Sequence, residues 1–76
     1  MRIDGFIWDN GNLTHLKHAH PHYNLSELEE IVLVCTKRYI GTDSKGNKVY
    51  AAARKNITVL FNHRNNKARI FSIRVK

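Results

Sequence analysis

Three strand-like segments crowd the C-terminal half of this 76-residue chain, and the gaps between them exclude most ways of arranging them. Lys48–Arg54, Ile57–Phe61 and Lys67–Val75 are separated only by Lys55-Asn56 and by Asn62-His63-Arg64-Asn65-Asn66. A parallel crossover needs about a dozen residues or more, so these segments can pair only as antiparallel neighbours. Ile57-Thr58-Val59-Leu60-Phe61 is almost wholly apolar, as expected of a central strand covered on at least one face. In the last segment, alternation sets Arg69, Phe71, Ile73 and Val75 on one face and Ala68, Ile70, Ser72 and Arg74 on the other. Thr36–Ile40 reads as a further strand, joined to Lys48–Arg54 through the turn chemistry of Gly41–Asn47.

The N-terminal half has a different period. Ile3–Trp8 reads as a first strand, with Trp8 a core residue at its end. Asp9 or Asn10 can cap a short helix through Leu13, Leu16 and Lys17, which Pro21 ends. Asn24 and Ser26 supply the next cap, and Ser26 with Glu29 has the spacing of a capping box. Leu25, Leu28, Ile31, Val32 and Cys35 then form one helical stripe, with Glu27, Glu29 and Glu30 facing away. Cys35 on that stripe reads as a small buried hydrophobe. The expected order is β-α-α-β-β-β-β over a single domain, residues 1–76. The simplest architecture is α+β, with two N-terminal helices packed on one face of an antiparallel sheet.

A domain this small buries only about 60% of the surface its unfolded chain exposes, so its core is thin. Apolar residues make up 42% and charged residues 25%, which argues against disorder. No apolar run approaches the roughly 20 residues of a membrane span, and the first residues lack the apolar core of a secretory signal. One cysteine allows no internal disulfide, so a reducing, cytoplasmic setting is expected. The charge is distributed unevenly. Residues 1–35 carry two Lys or Arg against five acids, a net −3, whereas residues 36–76 carry eleven against Asp43 alone, a net +10. That asymmetry points to a polyanionic partner, or to an acidic protein that covers the basic half.

Within the basic half, Tyr50 and Arg54 share parity on one strand, whereas Arg69 and Arg74 fall on opposite faces unless a bulge turns Arg74. Arginine offers two parallel donors that fit two phosphate oxygens, and tyrosine can stack a base, so the set suits a single-stranded nucleic acid. Lys37, Arg38, Lys55 and Arg64 extend the same basic segments as candidate RNA contacts. Four of the five histidines form the cluster His15, His18, His20 and His22. Imidazoles at this spacing can bind zinc or nickel, act singly as proton carriers, or simply sit at a helix end. No Gly-rich phosphate loop, nucleophile elbow, CxxC pair or HExxH is present.

The opening string Phe6-Ile7-Trp8-Asp9-Asn10-Gly11-Asn12-Leu13-Thr14-His15-Leu16-Lys17-His18 resembles the start of the BrnT family of ribonuclease toxins, whose members typically begin with an aromatic residue or Ile, then Trp-Asp, then Asn, an apolar residue and Lys-His. Ala68-Arg69-Ile70-Phe71-Ser72-Ile73-Arg74 resembles that family's closing Ile-Arg-Ile-Ile-Ser-Ala-Arg, and Tyr50–Phe61 fits its central strands. The resemblance implies a RelE-like fold and a type II toxin–antitoxin endoribonuclease. Such an enzyme cleaves RNA without metal or other cofactor, using the substrate 2′-OH as nucleophile. It also implies a cognate antitoxin, typically a ribbon-helix-helix DNA-binding protein of the BrnA kind, with a homodimer or a heterotetramer with that antitoxin as the expected assemblies. Under this reading Arg54 and Arg69 grip phosphates, Arg74 stabilises the transition state, and Tyr50 and His18 share the acid and base roles. The family usually has arginine where Val49 precedes Tyr50. The alternative expectation is therefore a non-catalytic module that binds nucleic acid or an antitoxin through the same basic strands.

Overall fold

Left-handed backbone at three side-chain-bearing residues closes the two C-terminal hairpins: Lys55 has φ 55°, Asn65 54° and Asn66 59°. Asparagine tolerates this region because its short polar side chain can bond locally. In the computed structural model, which describes Met1–Lys76, the elements run β1 (Gly5–Phe6), α1 (Asn10–Ala19), α2 (Leu25–Val34), β2 (Lys37–Thr42), β3 (Lys48–Arg54), β4 (Ile57–Arg64) and β5 (Lys67–Val75). The protein is α+β, with two helices and a five-stranded sheet in the order β1-β5-β4-β3-β2. No helix is long and apolar enough to cross a membrane.

The sheet is mixed rather than wholly antiparallel. β2, β3, β4 and β5 pair antiparallel, but β1 lies parallel to β5, with Gly5 opposite Lys67 and Phe6 opposite Ala68. Short turns dictate the sense of the first three pairings. No turn links β1 to β5, so its direction is free to follow the chain into α1. The expected first strand also shrinks to two residues, held at its ends by Asp4 N–H to the Asn66 carbonyl and Ile7 N–H to the Ala68 carbonyl. At the other hairpin β4 continues through Asn62, His63 and Arg64, where a turn is expected from the sequence, because they pair with Arg69, Ala68 and Lys67.

The most consequential departure is a bulge. Leu60 faces Ser72 while Phe61 faces Ile70, so Phe71 is an extra residue in β5 and the alternation reverses there. Ala68, Ile70 and Ile73 consequently all reach the core. Arg74, paired with Thr58, lands on the same sheet face as Arg69, paired with Asn62.

The core joins Leu16 of α1 and Leu28, Ile31 and Val32 of α2 to Ala52, Val59, Phe61, Ala68, Ile70 and Ile73 of the sheet. α1 lies along β5, and α2 lies on β3 and β4. Trp8 is half-buried rather than enclosed, because its indole N–H donates to Glu29 at 2.6 Å, and Cys35 is half-buried at the end of α2. The other sheet face carries no helix. The capping box belongs to α1, not α2. The Asp9 carboxylate accepts the Asn12 N–H, and the Asn12 side-chain oxygen accepts the Asp9 N–H. α2 is capped by Asn24, which leaves Ser26 inside the first turn.

Asn12 does more than cap. It is the one buried polar residue, and its amide nitrogen donates to the Ile7 carbonyl and to the Ile70 carbonyl, both at 2.9 Å. The second bond crosses to the edge of β5 just beyond the point where β1 stops, so one side chain fixes strand, helix and sheet edge together.

Candidate nucleic-acid interface

The helix-free face is lined by alternate residues of four strands. Arg38 stands opposite Ala51, Ala51 opposite Leu60, and Thr58 opposite Arg74. Because Ala51, Ala53 and Thr58 are small, the floor between the flanking arginines is low. Two adjoining shallow depressions of about 450 and 280 Å³ result. Arg38, Lys55, Arg74 and Lys76 stand around them, and no Asp or Glu side chain lines either one. The apolar share comes from Ile40, Leu60 and Val75, of which Ile40 is 49% and Val75 44% exposed.

At the other end of the sheet, Lys48, Arg64, Lys67 and Arg69 line a further depression, and Lys45 joins Arg69 and Phe71 in its neighbour. The single acid of the basic half sits here and is already engaged. Asp43 accepts the N–H groups of Lys45 and Asn47, both at 2.9 Å, so its carboxyl is held below its ordinary value chiefly by the Asn47 backbone. The acids of the N-terminal half lie beside β1, on the helices and at their caps. A division along the chain thus becomes a division in space: a mixed-charge helical layer and a cationic open face.

The residues singled out for chemistry do not all share that face. Arg74 and Arg38 do. Arg69 shares its parity, yet its guanidinium reaches round the edge of β5 to the N-terminus of α1. There it meets both carboxylate oxygens of Asp9 at 3.2 Å. That bond first, and the Asn12 N–H second, hold the Asp9 carboxyl below its usual range. Gly11 makes room for the contact, since a Cβ there would lie 3.3 Å from the Arg69 guanidinium. Arg54 points under the helices. It bonds Glu30 at 3.1 Å and lies beside Cys35, whose thiol is the larger of the two influences raising its pKa. Both residues expected as free phosphate grips are therefore tied into ion pairs.

Tyr50 is likewise on the helix side, its ring 5.8 Å from Phe61 and 5.6 Å from Tyr39. His18 is exposed on α1. Lys37 caps the end of α2, its ammonium donating to the carbonyls of Leu33 and Cys35. Lys55 and Arg64 remain exposed at the two ends of β4. No three His, Cys, Asp or Glu side chains are grouped to hold a metal ion, so the His15, His18, His20 and His22 cluster does not converge.

The Asp9 and Asp43 shifts fix an acid response. A carboxyl whose pKa is lowered on folding stabilises the fold fully above its unfolded value of about 3.9, and that contribution disappears as pH falls through the lower folded value. Thermal midpoints should be level in this respect above about pH 5 and fall below about pH 4. The Asp9→Asn, Asp43→Asn double variant should start lower at neutral pH and lose less on acidification. An acid slope unchanged in that variant would show that these two carboxylates do not set the response.

Comparison with protein-family models, with curated proteins and with solved structures finds no match to this chain.

Proposed function

We propose that this chain binds RNA on its open sheet face, as a BrnT-like domain of RelE type whose two helices back one face of the sheet. The observation that carries the reading is the grouping of Arg38, Lys55, Arg74 and Lys76 around a low floor with no Asp or Glu side chain at its margin. Unpaired arginine forks suit phosphate oxygens, and the exposed Ile40 beside them offers apolar contact to sugars and bases. The acids of the helical layer would repel the same ligand, which orients it. A cognate antitoxin of ribbon-helix-helix type and a cytoplasmic location belong to this proposal through the resemblance.

Endoribonucleolytic cleavage is the second reading, favoured by the bulge that returns Arg74 to the open face. Attack of a 2′-OH on its neighbouring phosphate needs a cation for the growing charge, and Arg74 stands where it could supply one. A base and an acid are needed as well. Tyr50 and His18 lie off this face, so binding without cleavage is the simpler reading of the geometry. Incubation of the purified chain with single-stranded RNA separates the two. Association that weakens steeply with salt, with intact RNA recovered, supports binding alone. Fragments ending in 2′,3′-cyclic phosphate would establish the nuclease. Absence of any association at low salt would overturn both.

A further inference from the structure

The cations of the sheet fall into two groups rather than one. Arg38, Lys55, Arg74 and Lys76 hold one end, and Arg64 and Lys67, paired beside the β4–β5 turn, hold the other. Along β5 the groups are represented by Arg74 and Lys67. With one residue absorbed in the bulge, they stand about 20 Å apart at ~3.3 Å per residue. Between them Leu60 and Ser72 carry no charge, and Phe71, the bulged residue, is half-buried and lines a depression shared with Asn62, Arg69, Lys45 and Asp43, whose carboxylate is taken up by the Lys45 and Asn47 N–H groups.

Resting on the RNA-binding reading, we infer that the ligand is a single strand that bridges both cation groups, with its bases turned toward Leu60 and Ser72 and with Phe71 as a stacking surface. A duplex hides its base faces and would leave an aromatic floor without a partner, whereas every base of a single strand has a face to stack. Each cation group alone is a weak anion site. A strand long enough to reach both makes the second contact intramolecular, and affinity then rises by the effective concentration of the linked end rather than by one more phosphate. At the ~3.4 Å spacing of a stacked strand, 20 Å corresponds to about six nucleotides.

The test is fluorescence anisotropy of end-labelled oligouridylates, from roughly three to about fifteen nucleotides, with the full chain at low salt. Affinity should step up about tenfold or more on passing the bridging length, and the step should vanish in Arg64→Ser, Lys67→Ser. Phe71→Ala should weaken the long oligomers severalfold, with circular dichroism confirming the fold. A smooth rise with length, a step that survives the double substitution, or equal affinity for a duplex of the same length would overturn the bridging inference while leaving RNA binding standing. Failure of every oligomer to bind would instead remove the RNA reading on which it rests.

Discussion

Asn12→Ala should bring the protein to the edge of unfolding. The substitution strips a donor pair from the Ile7 and Ile70 carbonyls and an acceptor from the Asp9 N–H, at a residue only 2% exposed. Each buried polar group left without a partner costs about 1–3 kcal/mol, so even with partial rescue by water the loss is about 3 kcal/mol. At about 0.05–0.15 kcal/mol per residue, that is a large share of the stability of a domain this small. Asn12→Asp is the informative companion. It keeps the shape but turns a carboxylate oxygen toward two carbonyl oxygens, and should cost at least as much. Urea unfolding followed by Trp8 fluorescence measures both, and a loss below about 1 kcal/mol for either would show that Asn12 does not hold the three segments together.

Arg38→Ser, Arg74→Ser should weaken RNA binding by about a hundredfold at low salt. Each arginine makes one charge-assisted bond worth about 1.5 kcal/mol, roughly tenfold in affinity apiece. The dependence of log K on log salt should also become shallower by about 0.7 for each phosphate that the variant no longer neutralises. Lys17→Ser, on the exposed side of α1, removes the same kind of charge and should change affinity by less than about threefold. Equal effects of the two variants would mean that net charge, not the open face, governs binding. Anisotropy titrations at several salt concentrations give both the affinity and the slope.

Asn12 and Arg74, the residues behind these two expectations, differ in what their sequence neighbourhoods disclose. The edges of β3 and β5 are legible because Gly41–Asn47, Lys55-Asn56 and Asn65-Asn66 carry explicit turn chemistry. The stripe of α2 is legible because Leu28, Ile31 and Val32 keep helical spacing and all become buried. The tail of β4 is not, since Asn62, His63 and Arg64 are polar residues that a strand end accepts once a partner strand is present. The bulge at Phe71 leaves no local mark, as counting by twos has no sign for an extra residue, and the shared face of Arg69 and Arg74 is hidden with it. Asn12 escapes the usual pattern because a capping box is sought as Glu or Gln three residues after the cap, and here Asn fills that place after Asp9. The pairing of Arg54 with Glu30 and of Arg69 with Asp9 joins residues 24 and 60 positions apart, a relation no motif encodes.

Amide chemical shifts recorded during titration with a single-stranded oligoribonucleotide test most directly whether RNA lies on the helix-free face of the sheet. Perturbations should gather at Arg38, Ala51, Thr58, Leu60 and Arg74, with α1 and the exposed side of α2 nearly silent. Shifts concentrated on α1 and α2, with these strand residues unmoved, would contradict that placement.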